Sequence, residues 1–300
     1  MAYNLAGLTA YTEQDAKKLI YKVIAGDDIS KMMNVQTGIK SAETINIVQT
    51  EGVWQAATNC NPTASGDTTF TQRTLTVGAI SVVLEWCEEQ LQAYYTQKAM
   101  KAGSELDTLT FAKEIVADVT QNIFKRKAVA IWQGDTTAGS AYLNKFDGLI
   151  KIIGAASGVV TATPSVWSVA NSRTAVQTAY LATTNDMIAN PNTKMWIGTA
   201  EARDYRMKLG IDNLYHLTGA DKKLYVENTD MEMVPCIGLS GTKRIYVMAT
   251  DNMYLGTDLN NEEEKLQFKV LENEKIRLTI KVKYGVQVAF PDQIVSQANT

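Results

Sequence analysis

The chain has 300 residues, 45% of them hydrophobic and 20% charged, with a formal net charge of −3. Such a chain is long enough to bury a sizeable core without staples, and its charge excludes a protein that grips nucleic acid with its whole surface, although a local basic patch remains open. Three cysteines, Cys60, Cys87 and Cys236, with no Cys-x-x-Cys, leave no disulfide framework or zinc motif and fit a reducing compartment.

The N-terminal stretch MAYNLAGLTAYTEQDAKK lacks the basic start and apolar run of a signal peptide, and no apolar stretch reaches the roughly 18 residues of a membrane span. Thr12 reads as a helix N-cap, with Glu13 and Asp15 in the first turn, where the helix dipole favours anions. Ala16, Leu19, Ile20, Val23 and Ile24 follow as one helical stripe, and Gly26 ends it. A lone amphipathic helix on a polar segment cannot bury that stripe against itself.

Residues 45–86 change character. TINIVQTEGVW and TTFTQRTLTVGAISVVLEW are rich in β-branched and aromatic residues and predict strands, separated by the polar, turn-rich QAATNCNPTASGD. The expectation is one long hairpin whose outer half carries few apolar residues beyond Val53, Trp54 and Phe70. An isolated hairpin is marginal in water, so this one must lean on something outside itself. CEEQLQAYYTQKAMKAG continues as a short helix. From Asp107 to Asp135, Ala112, Ile115, Val116, Val119, Ile123, Ala130 and Ile131 predict a helix of about 26 residues, roughly 39 Å long, stopped at Gly134.

Between about residues 150 and 255, strands and helices alternate as in a compact α+β unit. SVANSRTAVQTAYLATTND and AEARDYRMKLG read as helices, the latter closed by Gly210. TKMWIGT, KLYVENTDMEMVPCIGL and RIYVMATDNMYLGTDL read as strands with loops. The chain closes on IRLTIKVKYGVQVAF, Ile276–Phe290, whose even positions are all apolar. Strict period-two alternation marks a half-buried strand, here about 50 Å long against the usual roughly 3–10 residues. Its basic side, Arg277, Lys281 and Lys283, reads as a solvated face that discourages edge pairing, or as a phosphate-facing surface.

Residues with catalytic potential are sparse. There is no Walker loop, no GxGxxG after a strand and no HExxH. His216 is the one histidine, so any Ser-His or Cys-His dyad must use it. GLSGT, Gly238–Thr242, lacks the spacing of a nucleophile elbow, and Ser240 reads as a turn residue. The acidic run TDLNNEEEKL, Thr257–Leu266, lacks the glycine and alternating ligands of a calcium loop and reads as solvated charge. No cofactor or metal is expected. What stands out is shape: an arm, an unsupported hairpin, an overlong helix and an overlong strand, each needing surface from neighbouring copies.

The order of these parts resembles the Hong Kong 97-type major capsid protein of tailed bacteriophages, a fold shared with herpesvirus shells and encapsulins. Three stretches carry the likeness. IFKRKAVAIWQGD followed by NKFDGLIKII resembles the end of the family's spine helix, with a Gly-Asp stop before a Phe-Asp-Gly turn. DMEMVPCIGLSGTKRIYVMATDNMYLGTDL resembles its axial region, ending in an Asn…Gly-Thr-Asp turn. LENEKIRLTIKVKYGVQVAFPDQIV resembles the closing long strand and its Pro-containing end.

The resemblance implies an α+β fold with an N-terminal arm at 1–44, an E-loop hairpin at 45–86, a peripheral domain with the spine helix at 87–150, an axial domain at 151–258 and the closing strand at 259–300. It implies a structural, non-enzymatic subunit that assembles with itself into pentamers and hexamers of an icosahedral shell. The expected partners are a separate scaffolding protein, a portal, decoration proteins and packaged double-stranded DNA on the inner face, bound without sequence specificity; no membrane is involved. The protein would be assembled in the host cytoplasm and reside in the virion. No long charged segment precedes the arm helix, which is why a separate scaffolding protein, or assembly without one, is expected. The expected assembly contacts are Leu19, Ile20, Val23 and Ile24 of the arm and Trp54, Phe70 and Arg73 of the hairpin. For Trp54 and Phe70 the alternative is a cross-strand pair within the hairpin. At the level of function the alternatives are an encapsulin-like compartment subunit and a cytoplasmic hydrolase built on Ser240 and His216.

Overall fold

The computed structural model describes residues 28–50, 52–54, 65–87, 108–137, 142–212, 223–258, 265–270 and 275–300. The arm stripe Leu19, Ile20, Val23 and Ile24, the helix expected after Cys87, Cys60 and His216 lie outside the described residues. In chain order the elements are α1 (Asp28–Lys31), β1 (Asn34–Gln36), β2 (Ala42–Thr50), β3 (Thr68–Thr76), β4 (Gly78–Cys87), α2 (Thr108–Gln133), α3 (Leu149–Ala155), β5 (Val160–Thr161), α4 (Ser172–Leu181), α5 (Asn185–Ala189), β6 (Thr193–Gly198), α6 (Thr199–Ile211), β7 (Leu224–Tyr225), β8 (Glu232–Cys236), β9 (Arg244–Ala249), β10 (Met253–Thr257), β11 (Lys265–Val270), β12 (Lys275–Val288) and β13 (Val295–Ala298).

Helix α2 has the 26 residues expected from its apolar stripe. Ile123, Ala130 and Ile131 of that stripe are buried. It ends where Gly134 and Gly148 pass each other: Gly134 accepts a 2.8 Å hydrogen bond from the Gly148 amide. A Cβ on Gly148 would sit 2.6 Å from the Trp132 carbonyl oxygen, and one on Gly134 would sit 2.5 Å from the Phe146 oxygen, so neither position tolerates a side chain. Asp135 and Asp147 flank this crossing, and Lys151 of α3 donates to both, at 2.6 and 2.8 Å.

The hydrogen bond from Lys151 is the main reason why the Asp135 carboxyl lies well below its ordinary range. Burial works to raise Asp147, but Lys151 and the Thr136 amide and hydroxyl outweigh it and Asp147 is lowered too. A carboxyl depressed on folding adds stability that is complete above its unfolded value of about 3.9 and is lost as pH falls towards the folded value. Thermal melts are therefore expected to show an acid-side loss below about pH 4. That loss should shrink when Asp135→Asn and Asp147→Asn are combined, and an unchanged acid limb in the double variant would contradict the assignment.

Strand β12 answers why so long an alternating run exists. Its outer part is sandwiched between β4 and β11, with Ile276 opposite Trp86 on one side and Val270 on the other, and its inner part pairs with β10. One strand thus carries two sheet segments in series. Leu278, Ile280, Val282, Tyr284, Val286 and Val288 are buried and join Ile123, Ile131 and Trp132 of α2 in the largest core cluster. The basic side differs from the expectation of an edge: β12 is central, and two of its cations are paired within the chain, Arg277 with Glu85 and Lys283 with Asp258. The Asn…Gly-Thr-Asp stretch is also not a turn, since Met253–Thr257 is β10, the strand beside β12.

The second, six-stranded sheet runs β5-β13-β9-β6-β8-β7. Helices α4 and α6 cover it with Ala175, Val176, Ala179, Ala202, Tyr205 and Leu209. Gly210 does not close α6, which continues through Ile211. Trp132 of α2 stacks on Tyr246 of β9 at 5.6 Å and meets Trp196 of β6 at 6.0 Å, so aromatic packing ties α2 to the six-stranded sheet. Cys236 lies at this junction, and burial pushes its thiol up to about 12, which keeps it inert. Cys87 and Cys236 are both unpaired. Among the described residues no helix is long and apolar enough to cross a membrane.

Candidate assembly interface

Strands β2 and β3 form a two-stranded sheet of their own, in the register Glu43↔Leu75, Ile45↔Arg73, Ile47↔Thr71 and Val48↔Phe70. The long second strand expected from the sequence divides at Val77: Thr68–Thr76 stays in the hairpin, and Gly78–Cys87 crosses to β12. Directly opposed residues share a face. Ile45, Ile47 and Leu75 therefore turn one way, and with Ile39, Val77 and Ala289 they form a small core at the hairpin root. Val48 and Phe70 turn the other way and are 55% and 75% exposed.

The root sits on a saddle made by two glycines. Gly256 of β10 and Gly285 of β12 are direct partners, so both present their bare side to the same face. A Cβ on Gly285 would lie 2.0 Å from the Thr76 oxygen, and one on Gly256 would lie 2.9 Å from Leu75 Cδ2 and 3.0 Å from Ile39 Cδ1. The Ile39 amide donates to the Thr257 carbonyl, the Val77 amide to Ser41, and Gln287 Nε2 to Thr74. Lys283 Nζ adds a clamp, reaching both the Lys40 carbonyl and Asp258 Oδ2 at 3.0 Å. Asp258 is fully buried. This pair was not legible as a site, because Asp258 reads as the start of a solvated acidic run. Lys283→Met should leave a buried carboxylate uncompensated and lower stability by about 3 kcal/mol or more. Adding Asp258→Asn should recover most of the loss in denaturant titrations, and a single variant as stable as the parent would contradict the clamp.

The expected contact residues are not on one surface. Phe70 is on the outward face with Val48. Trp54, beyond the end of β2, is 100% exposed, so the alternative of a Trp54–Phe70 cross-strand pair is not formed. Arg73 is on the body-facing side, where it lines a groove of about 730 Å³ whose far wall includes Ser157, Pro291 and Asp292. Sequence reasoning also passed over Val48, which alternation alone could have placed beside Phe70.

A second groove, of about 660 Å³, runs between α2 and β4, floored by Ile80, Val82, Leu84, Ile123 and Tyr284. Among the described residues its charged lining is Arg126, Lys127 and Lys145, with no carboxylate. Lys127 is buried, with its ammonium 5.0 Å from the centre of the Tyr284 ring. The hairpin has the opposite bias: from Thr44 to Gln72 it contains Glu51 and Asp67 and no lysine or arginine.

The GLSGT stretch is a tight turn. Ser240 closes a 3₁₀ turn onto the Ile237 carbonyl, and the buried Glu201 accepts from the Gly241 and Lys243 amides. Among the described residues no cluster of His, Cys, Asp and Glu is suited to hold a metal ion.

With elements and register in place, the chain has the fold of phage capsid proteins. The subunit of the satellite phage P4 procapsid superposes with a TM-score of 0.67 at 8% identity, over 95% of this chain and 91% of that one. The capsid of an empty GTA particle gives 0.57 at 13% identity, covering 93% and 90%. A virus-like particle from Pyrococcus furiosus gives 0.52 at 10% identity, covering 93% and 95%. No protein-family model matches the sequence, and no curated protein matches it. The resemblance to Hong Kong 97-type capsid proteins read from the sequence agrees with these structures.

Proposed function

We propose that this chain is the major capsid subunit of a tailed phage, self-assembling through pentamers and hexamers into an icosahedral shell around double-stranded DNA. The observation that carries the reading is the hairpin. Its root is seated in the fold, while Val48, Phe70 and Trp54 stand in water. A two-stranded ribbon with exposed aromatics is poorly stabilised alone and becomes stable when covered by a partner. The α2–β4 groove of a neighbouring copy offers what the hairpin lacks, an apolar floor with the exposed cations Arg126 and Lys145, opposite the outer part of the ribbon, which carries Glu51 and Asp67. In this reading 1–44 is the arm, 45–86 the E-loop, 87–150 and 259–300 the peripheral part, and 151–258 the axial part nearest the ring axis. Leu19, Ile20, Val23 and Ile24 cover neighbours. Arg73 acts from the body side of the hairpin. Scaffolding, portal and decoration proteins and the genome are partners of the assembled shell, which forms in the host cytoplasm, and the subunit itself is not an enzyme.

The same fold is compatible with a second reading, an encapsulin-like compartment subunit, since a virus-like particle from Pyrococcus furiosus is also among the similar structures. Nuclease treatment of particles from their native source tests between them. Protected genome-length DNA supports the phage head, and particles filled with one cargo protein support the compartment. A chain that elutes as a compact monomer in size-exclusion chromatography would overturn both and favour a hydrolase.

The hairpin has no lysine between Lys40 and Lys98, so it lacks an amine for isopeptide welding to a neighbour. Arg73 does not substitute, because a guanidinium stays protonated. Mature particles on a reducing, denaturing gel should give a single band near the chain mass of 33.0 kDa. A boiling-resistant ladder would contradict this.

A further inference from the structure

We propose that neighbouring copies meet through two complementary patches on the six-stranded sheet's helices, the α6 outer face of one copy receiving the α4–α5 corner of the next. The inference rests on the capsid reading and adds the contact itself. Helix α6 carries apolar residues on two sides. Ala202, Tyr205 and Leu209 face the sheet, while Met207 and Ile211, four residues apart, form an outward apolar pair in line with Arg203, with Arg206 nearby. Met207 and Ile211 are 55% and 65% exposed. A helix with apolar residues on a second side is built to be covered on that side as well.

The complementary patch lies on the same chain but out of its own reach. Leu181 ends α4 at 81% exposure, and Asp186 and Ile188 of α5 are exposed just beyond it. Asp186 forms no hydrogen bond or ion pair among the described residues. At the other end of α4, Arg173 is bonded to Asp212, which caps α6. The Met207–Ile211 end of α6 is therefore beside the start of α4, and Leu181 is a helix length away, about 15 Å. Helix α4 packs on β9 and β13, whereas α6 packs on β6 and β8, in the other half of the sheet. One patch is basic and apolar, the other acidic and apolar. Two different surfaces that complement each other give a head-to-tail contact, which closes into a ring at the right rotation. Arg203 is already paired with Asp204 on its own helix, so Arg206 supplies the cation for Asp186, and Leu181 and Ile188 cover Met207 and Ile211.

Charge reversal in the full chain tests this. Arg206→Glu and Asp186→Lys, each alone, are expected to lower ring yield at least about tenfold by native mass spectrometry, because like charges are brought together. The two combined should restore rings to near the parent yield. Far-UV circular dichroism and melting temperature should stay at parent values in all three, since both side chains are exposed. Shells forming from every single variant at parent yield would overturn this contact and leave the capsid reading standing. Loss in both singles without rescue in the double would overturn the pairing. A parent chain that forms no rings would remove the capsid reading, and this contact with it.

Discussion

Trp54→Ala is expected to leave the folded subunit unchanged and to cripple assembly. The side chain is fully exposed in the single chain, so its removal takes away no intramolecular packing. Exposed substitutions of this kind shift stability by about 0.5 kcal/mol or less. At an interface the arithmetic reverses, because a desolvated tryptophan is among the residues that carry most binding energy, typically about 2 kcal/mol or more per contact. Such a loss weakens each contact by roughly thirtyfold, and a closed ring multiplies the loss over every subunit. Phe70→Ala should act in the same direction from the neighbouring face. Unchanged particle yield for Trp54→Ala, with an unchanged melt, would remove the hairpin from the interface.

Gly285→Ala should have the largest effect on the hairpin itself. The added Cβ would lie 2.0 Å from the Thr76 oxygen and 3.0 Å from Val77 Cα, and both are backbone atoms. No rotamer change relieves that clash, so the root must lift from its saddle, with a loss at the upper end of the overpacking range, about 3 kcal/mol. The directly opposed Gly256 is a built-in control. Its Cβ would meet only the side-chain ends of Leu75 and Ile39, at 2.9 and 3.0 Å. Gly256→Ala should therefore cost about 1 kcal/mol. Hydrogen exchange gives a local readout at the Ile39 and Val77 amides, which hold the root to Thr257 and Ser41. Both should exchange faster in Gly285→Ala and assembly should fail, whereas equal effects of the two substitutions would contradict the saddle.

Elements with a strong internal period were legible in the sequence. The α2 stripe and the Gly134 stop placed that helix to within a residue at either end, and the alternation in 276–290 placed β12, which ends two residues earlier, at Val288. What escaped depends on partners distant in the chain. The long hairpin strand divides where the inward positions change phase, from the buried Leu75 and Val77 to the half-buried Ile80, Val82 and Leu84. Gly78 marks that change, since a Cβ there would lie 1.8 Å from the Lys145 oxygen. Period-two patterning within a window does not reveal which sheet each half joins. The basic face of β12 read as an edge because the pairing of Lys283 with Asp258 and of Arg277 with Glu85 spans 25 and 192 residues. For the candidate interface, the exposed aromatics and the missing lysine were readable. The groove of Arg126, Lys127 and Lys145 was not, because α2 and β4 form its walls only after folding.

Electron microscopy of the purified full chain tests the central claim most directly. The account predicts closed shells whose averaged capsomers show five-fold and six-fold rings, with the six-stranded sheet nearest each ring axis. Particles limited to monomers, or to dimers related by a two-fold axis, would contradict it.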